Sequence, residues 1–304
     1  MKPWLKRFKQ DIWLHVLVLP SLVFIIVFCY IPMYGIIIAF KNFSFTLGIM
    51  GSPWARDYGF QHFLNFYNSM YFGRLISNTV ILATLTLLWS FPIPIVFALL
   101  LSEVRSGKYR RFVQSVSYYP YFVSVVIAVG IMTLLLNPTD GIINRVLILL
   151  GHDTVPFMQS SKWFRPLYVI SVIWQGFGWN SIIFMAALSG VSTELYEAAE
   201  IDGASRLQQV WHISLPGIMP TIVILLILAI GGLFNVGSER ILLMYSPSIY
   251  EVADVIDTYV FRKSIMDSQF SFAAAVGLFK NLINFAFLFA ANRISAKVTD
   301  VSLW

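Results

Sequence analysis

Glu251, Asp254 and Asp257 stand three residues apart, the spacing that sets three carboxylates on one face of a helix. Such a face can gather a cation, and it serves equally as a solvated or partner-facing surface. It has no second acidic cluster beside it, so the paired carboxylates that glycan cleavage needs are missing. His15, His62, His152 and His212 are widely separated, and H-E-x-x-H, C-x-x-C and G-x-S-x-G do not occur. Gly107-Lys108 is followed by Tyr109 and lacks the earlier glycine of a P-loop, so the phosphate cradle for any ATP chemistry must come from another chain. Cys29 is the single cysteine, which excludes an internal disulfide or a cysteine metal site. The residues that remain suit binding and passage more than catalysis. Trp174, Gln175, Trp179 and Asn180 fall in one apolar run, Asn235 near the end of another, and Lys280, Asn281 and Asn284 in a third. A charge such as Lys280 inside an apolar run is costly, so it faces a cavity, meets a partner charge or snorkels to the interface. The two tryptophans also fit an interfacial aromatic belt.

The elements that must hold these residues follow from composition. Hydrophobic residues make up 58% of the 304 and charged residues 12%, about half the charged share of a soluble domain. Six segments reach the roughly 20 residues that cross a bilayer: Ile12 to Ala39, Leu75 to Leu101, Phe112 to Leu136, Pro166 to Leu188, Gly217 to Gly237 and Phe270 to Ala291. Prolines 20, 32, 92, 94 and 120 fall within or near span ends, where neighbouring helices can satisfy the backbone groups they free. The first apolar run is too long, and too poor in a small-residue cleavage site, for a removed signal, so it reads as a retained anchor. Basic residues concentrate at Lys2, Lys6, Arg7 and Lys9 and at Arg105, Lys108, Arg110 and Arg111, which predicts both termini inside, with 189–216 in the cytoplasm. The net charge of +6 is scattered over short loops, a membrane topology signal and not a nucleic-acid tract.

The segment after the fourth span predicts a helix-turn-helix elbow. Ser192 or Thr193 caps an acidic first turn, Leu195, Ala198 and Ala199 share a face, Gly203 permits a bend, and Leu207 to Ile213 forms a second short helix before Pro216 opens span five. An amphipathic connector lying on lipid would look similar. The string Glu197-Ala-Ala-x-x-Asp202-Gly-Ala followed by Ile213-x-Leu-Pro216 resembles the EAA loop of binding-protein-dependent ABC importer permeases. Segments 31–41 (IPMYGIIIAFK), 252–259 (VADVIDTY), 275–280 (AVGLFK) and the terminal Leu303-Trp304 are similar to the carbohydrate branch, particularly permeases for oligosaccharides or polysaccharides.

The resemblance implies an all-α membrane protein with the type I importer permease fold, six transmembrane helices N-in/C-in, in one domain over 1–304 that includes the coupling loop 189–216. It assigns Glu197, Ala198, Ala199, Asp202, Gly203, Ala204 and Pro216 to coupling with a cytoplasmic ABC ATPase. The implied partners are two ATPase copies, a second homologous permease making a heterodimer, an extracytoplasmic solute-binding protein, and membrane lipid. No cofactor is implied for this chain, with ATP and Mg held by the ATPase. Sugars present hydroxyl edges and C–H faces that stack on aromatic rings, so the polar and aromatic residues inside the spans become substrate-pathway candidates. An ion-coupled secondary transporter also fits six spans interrupted by proline and glycine, but gives the acidic elbow no purpose.

Overall fold

The computed structural model describes residues 11–299 and 301–304; the basic N-terminal residues Lys2, Lys6, Arg7 and Lys9 lie outside them. The described residues are helical apart from loops and one isolated antiparallel bridge between Lys41 and Trp54. Two compact units divide the chain.

The first unit comprises residues up to 69 together with Val260–Phe279. Helix α1, Ile12–Phe40, widens to a π-turn at Ile26–Tyr30 just ahead of Pro32 and tightens to a 3-10 turn at Tyr34–Phe40. None of its most apolar stretch is buried within the chain, so that surface is left for lipid or another subunit. Beyond α1, the buried ammonium of Lys41 donates to the carbonyls of Ile49 (2.9 Å) and Met50 (2.8 Å) and lies 5.3 Å from the Trp54 ring centre. These contacts offset the cost of removing the charge from water. Phe66 packs edge-on against Phe272 and Phe279, and the Phe43 amide donates to Ser271 Oγ at 2.9 Å.

The second unit comprises Met70–Tyr259 and Lys280–Trp304. Its helices are α2 Phe72–Ser102, α3 Gly107–Phe122, α4 Val125–Leu135, α5 Ile142–Leu149, α6 Ser161–Ser189, α7 Thr193–Ile201, α8 Arg206–Gly231, α9 Ser238–Met244 and residues 280–298 of α10 Phe270–Val298. At the centre, α6 buries Phe164, Leu167, Tyr168, Ser171, Gln175, Gly178, Ser181, Phe184 and Leu188, a stripe at three- and four-residue spacing. It packs on both halves of α2 and on α3, α4, α8 and α9. Small residues let these backbones approach: a Cβ on Gly178 would stand 2.1 Å from the Ser117 carbonyl oxygen on α3.

Five helices are long and apolar enough to cross a membrane, and the bent pair α3–α4 makes six. Two expected spans differ from a straight rod. The third, expected from Phe112 to Leu136, bends by 99° where Val123 and Ser124 are extended. Pro120 leaves the preceding turn short of a donor, while Ser124 Oγ accepts the Ile127 amide at 3.3 Å and starts α4 afresh. The fifth, expected from Gly217 to Gly237, ends at Gly231, so Asn235 lies in a turn. Glu251, Asp254 and Asp257 do not share a helix face, because Asp254 is extended between two short helices, Tyr250–Ala253 and Ile256–Phe261. Asp254 is fully buried instead, paired with Arg74 at 3.2 Å and accepting from Tyr245 Oη (2.8 Å) and Thr258 Oγ1 (2.9 Å). Among the described residues no group of three His, Cys, Asp or Glu is placed to hold a metal ion.

Candidate functional site

The elbow is built from local rules. Ser192 Oγ accepts the Glu194 amide at 3.3 Å and starts α7; Gly203, at φ +77°, ends it. The Ala204 amide donates to the Ala199 carbonyl (2.8 Å) and the Gly203 amide to Glu200 (3.1 Å), which is the Schellman closure that a left-handed residue allows. Ser205 and Gln208 then form a capping box for α8. The expected separate helix over Leu207 to Ile213 is the first part of α8, joined to the rest through a π-turn at Val210–Ser214, so Pro216 sits in its course and does not open it. The wide turn just before Pro216 accommodates its ring and its missing amide donor.

Two contacts hold this elbow to the bundle: Tyr196 Oη with Ser214 Oγ (2.9 Å), and Arg206 with Glu103 (3.2 Å) in the loop after α2. The outer surface is bare. Glu197, Ala198, Asp202, Gly203 and Pro216 are exposed, Ala199 and Ala204 half-buried, and apolar Leu195, Ile201, Leu207 and Trp211 stand in the open, Ile201 at 86% exposure.

A second feature lies at the bend of the third span. A cavity of about 500 Å³ is lined by Tyr121, Phe122 and Ser124 of the bend, Gln175 and Asn180 of α6, and Arg240 of α9. Trp179 stacks on Tyr121 with centroids 4.6 Å apart and planes 5° from parallel, and meets Phe122 edge-on. Gln175 is committed on both ends: its amide donates to the Val123 carbonyl that the bend frees, and its oxygen accepts from Arg240. Arg240 also donates to Ser171 Oγ at 3.1 Å. Burial holds its pKa below the ordinary guanidinium value, while Tyr168 and Glu239 act the other way.

The other pathway candidates scatter. Trp174 and Asn281 are exposed and do not line this cavity. Asn284 is buried and accepts the Phe234 amide at 3.0 Å, with Asn235 at 3.4 Å from its amide nitrogen, so it closes the broken end of α8. Asn235 lines a separate cavity of about 340 Å³ that also touches Arg240. Lys280 meets Asp257 at 2.5 Å with both side chains largely buried, so its charge is answered within the chain. Lys280→Met is therefore expected to lower the thermal midpoint of the detergent-purified protein by several degrees, because Asp257 would remain buried without its cation. The double variant Lys280→Met/Asp257→Leu is expected to recover most of the loss, and equal midpoints for the two variants would count against the pair.

Sequence reasoning missed Arg240, Tyr121 and Phe122. Pro120 in an apolar run and the Gly231-Gly232 pair were the available signals of broken helices, but neither says which side chains then meet.

The chain is 42% identical to protein LplB of Bacillus subtilis over 99% of its own length and 94% of that protein. It is 40% identical to the polygalacturonan/rhamnogalacturonan transport permease YteP of the same organism, over 100% and 94%. A crystal structure of a bacterial ABC transporter that imports the acidic polysaccharide alginate superposes with TM-score 0.89 at 38% identity, covering 98% of this chain and all of the other. A second structure of that kind of transporter, with an alginate pentasaccharide-bound periplasmic protein, matches at the same TM-score and identity. Residues 80–300 match the family model for the binding-protein-dependent transport system inner membrane component, and this multi-pass membrane protein belongs to that family of ABC importer permeases.

Proposed function

We propose that this chain is the permease subunit through which an oligosaccharide, delivered by an extracytoplasmic binding protein, crosses the membrane at the expense of ATP hydrolysed on separate ATPase subunits. The observation that carries the coupling part is the elbow: a capped helix bearing Glu197 to Ile201, closed by the left-handed Gly203, with four bare apolar side chains and two polar ties to the bundle. An exposed apolar rim around acidic groups suits a protein groove better than solvent.

The Arg206–Glu103 contact places the elbow beside the loop that runs on to Arg105, Lys108, Arg110 and Arg111, so the basic loop and the elbow share a membrane side. The positive-inside rule makes that side cytoplasmic, with both termini there. One elbow per chain, set against two ATPase copies, calls for a second, homologous permease. ATP and Mg belong to the ATPase pair, and this chain holds no cofactor. The relatives named for polygalacturonan and alginate transport support a carbohydrate cargo, and Tyr121, Trp179 and Asn180 are the side chains here that suit a sugar.

Reconstituted in vesicles with its ATPase, partner permease and binding protein, the chain is expected to give oligosaccharide uptake that requires ATP. Native mass spectrometry of the core is expected to show one copy of this chain, one other permease and two ATPases. Uptake driven by an ion gradient without the ATPase would overturn the reading in favour of a secondary transporter.

A further inference from the structure

Arg240 is the most deeply buried cation among the described residues of the second unit. Its residue is 8% exposed, and it reaches Ser171 and Gln175, both neutral. Among the described residues no carboxylate forms an ion pair with it. Glu239, its chain neighbour, is exposed and contributes a field without a contact. Of the half-buried cations of the same unit, Arg74 has Asp254 and Lys280 has Asp257, while Arg165 reaches the neutral Asn78 Oδ1 at 3.0 Å. A buried guanidinium held only by neutral acceptors is costly to maintain and keeps donor capacity for an anion.

Its position gives that capacity an outlet. The guanidinium lines both the cavity at the bend of the third span and the smaller cavity beside Asn235, and Ser90 and Val172 line both as well. The larger cavity, about 500 Å³, is within the range of small-ligand sites. Tyr121, backed by its stack on Trp179, lines the wall, and Asn180 supplies a polar group from α6. An aromatic face, an amide and a buried fork of N–H donors are together the groups that a sugar ring bearing a carboxylate requires.

We infer that the cavity at the bend of the third span is a passage subsite for a uronic acid unit, with Arg240 taking the carboxylate and Tyr121 the sugar face. This rests on the oligosaccharide-permease reading and narrows it to acidic chains. Gln175 holds the Val123 carbonyl and the guanidinium at once, so it is a positioning residue that ties the Arg240 fork to the bend.

The test uses the complete importer with its binding protein in ATP-loaded vesicles, offered an α-1,4-linked galacturonate trisaccharide or its fully methyl-esterified form. The ester keeps the shape and removes the charge. The wild-type complex is expected to take up the acid at least about tenfold faster, the factor that a charge-assisted hydrogen bond supplies. Arg240→Gln is expected to cut that acid-to-ester ratio by about tenfold, while Arg240→Lys keeps most of it. The binding protein is the same in every preparation, so a change in the ratio is a change in the permease. An unchanged ratio in Arg240→Gln overturns the inference and leaves Arg240 as a structural donor to Ser171 and Gln175. Should Arg240→Gln fail to assemble, a ratio near one in wild type or in Arg240→Lys overturns it as well. Uptake of neither form overturns it too, and a neutral galactose trisaccharide in the same vesicles then tells whether the importer reading falls with it.

Discussion

Gly178→Leu is expected to abolish stable assembly of the permease, and Gly178→Ala to lower the thermal midpoint and cut uptake by about tenfold. The cause is the crossing of α6 on α3. A Cβ at position 178 would lie 2.1 Å from the Ser117 carbonyl oxygen and 2.5 Å from its carbon, both backbone atoms that no rotamer change can move aside. Separating the helices by about 1 Å would loosen the packing that drives association in lipid, and overpacking of this kind costs about 1–3 kcal/mol even when side chains can yield. The displaced strut carries Tyr121 and Phe122, so uptake should suffer beyond the loss in amount. Gly130→Ala on α4, where a Cβ meets nothing within 4 Å, is the control and should stay within about 0.5 kcal/mol of the parent. Size-exclusion profiles after heating, read beside uptake per assembled complex, give both effects. Similar behaviour of the two alanine variants would refute the close crossing.

The second large effect is expected at Gly203. The residue sits at φ +77° with nothing within 4 Å of a Cβ, so the penalty for a side chain comes wholly from its own backbone. A left-handed conformation costs an ordinary residue about 1–2 kcal/mol and a β-branched one more, while asparagine tolerates it. Gly203→Val would open the Schellman closure and shift the equilibrium away from the closed elbow by a factor of up to about 30, so uptake should fall at least about tenfold. Gly203→Asn should keep most uptake. Because the position is exposed, both variants should insert normally and bring down different amounts of ATPase on purification. Equal uptake by valine and asparagine variants would remove the bend from the mechanism. Glu197→Ala should weaken ATPase association only moderately, since the closure of the elbow does not involve its side chain.

The sequence by itself determined what depends on neighbours along the chain. Apolar length found the spans, because transfer of about 20 residues into lipid is a sum over one segment. Capping and turn rules found Ser192, the acidic first turn and Gly203, because each acts within a few residues. The motif from Glu197 to Pro216 pointed to the family for the same reason: it is contiguous. Only the tertiary structure decided what depends on partners far apart in the chain. An apolar window is blind to direction, so the 99° bend after Phe122 could not be read from hydropathy; it is set by Pro120, the Ser124 cap and a Gln175 donor from another helix. For Lys280 the sequence left a cavity, a partner charge and snorkelling open; folding brings Asp257 to 2.5 Å across 23 residues and supplies the partner charge. Arg240 carries no signal in the sequence; α9 sets it between two cavities, beside neutral groups on α6. Burial and pairing of charge are properties of the assembled bundle, since the cost of a buried ion and the contact that repays it arise only once separate helices meet.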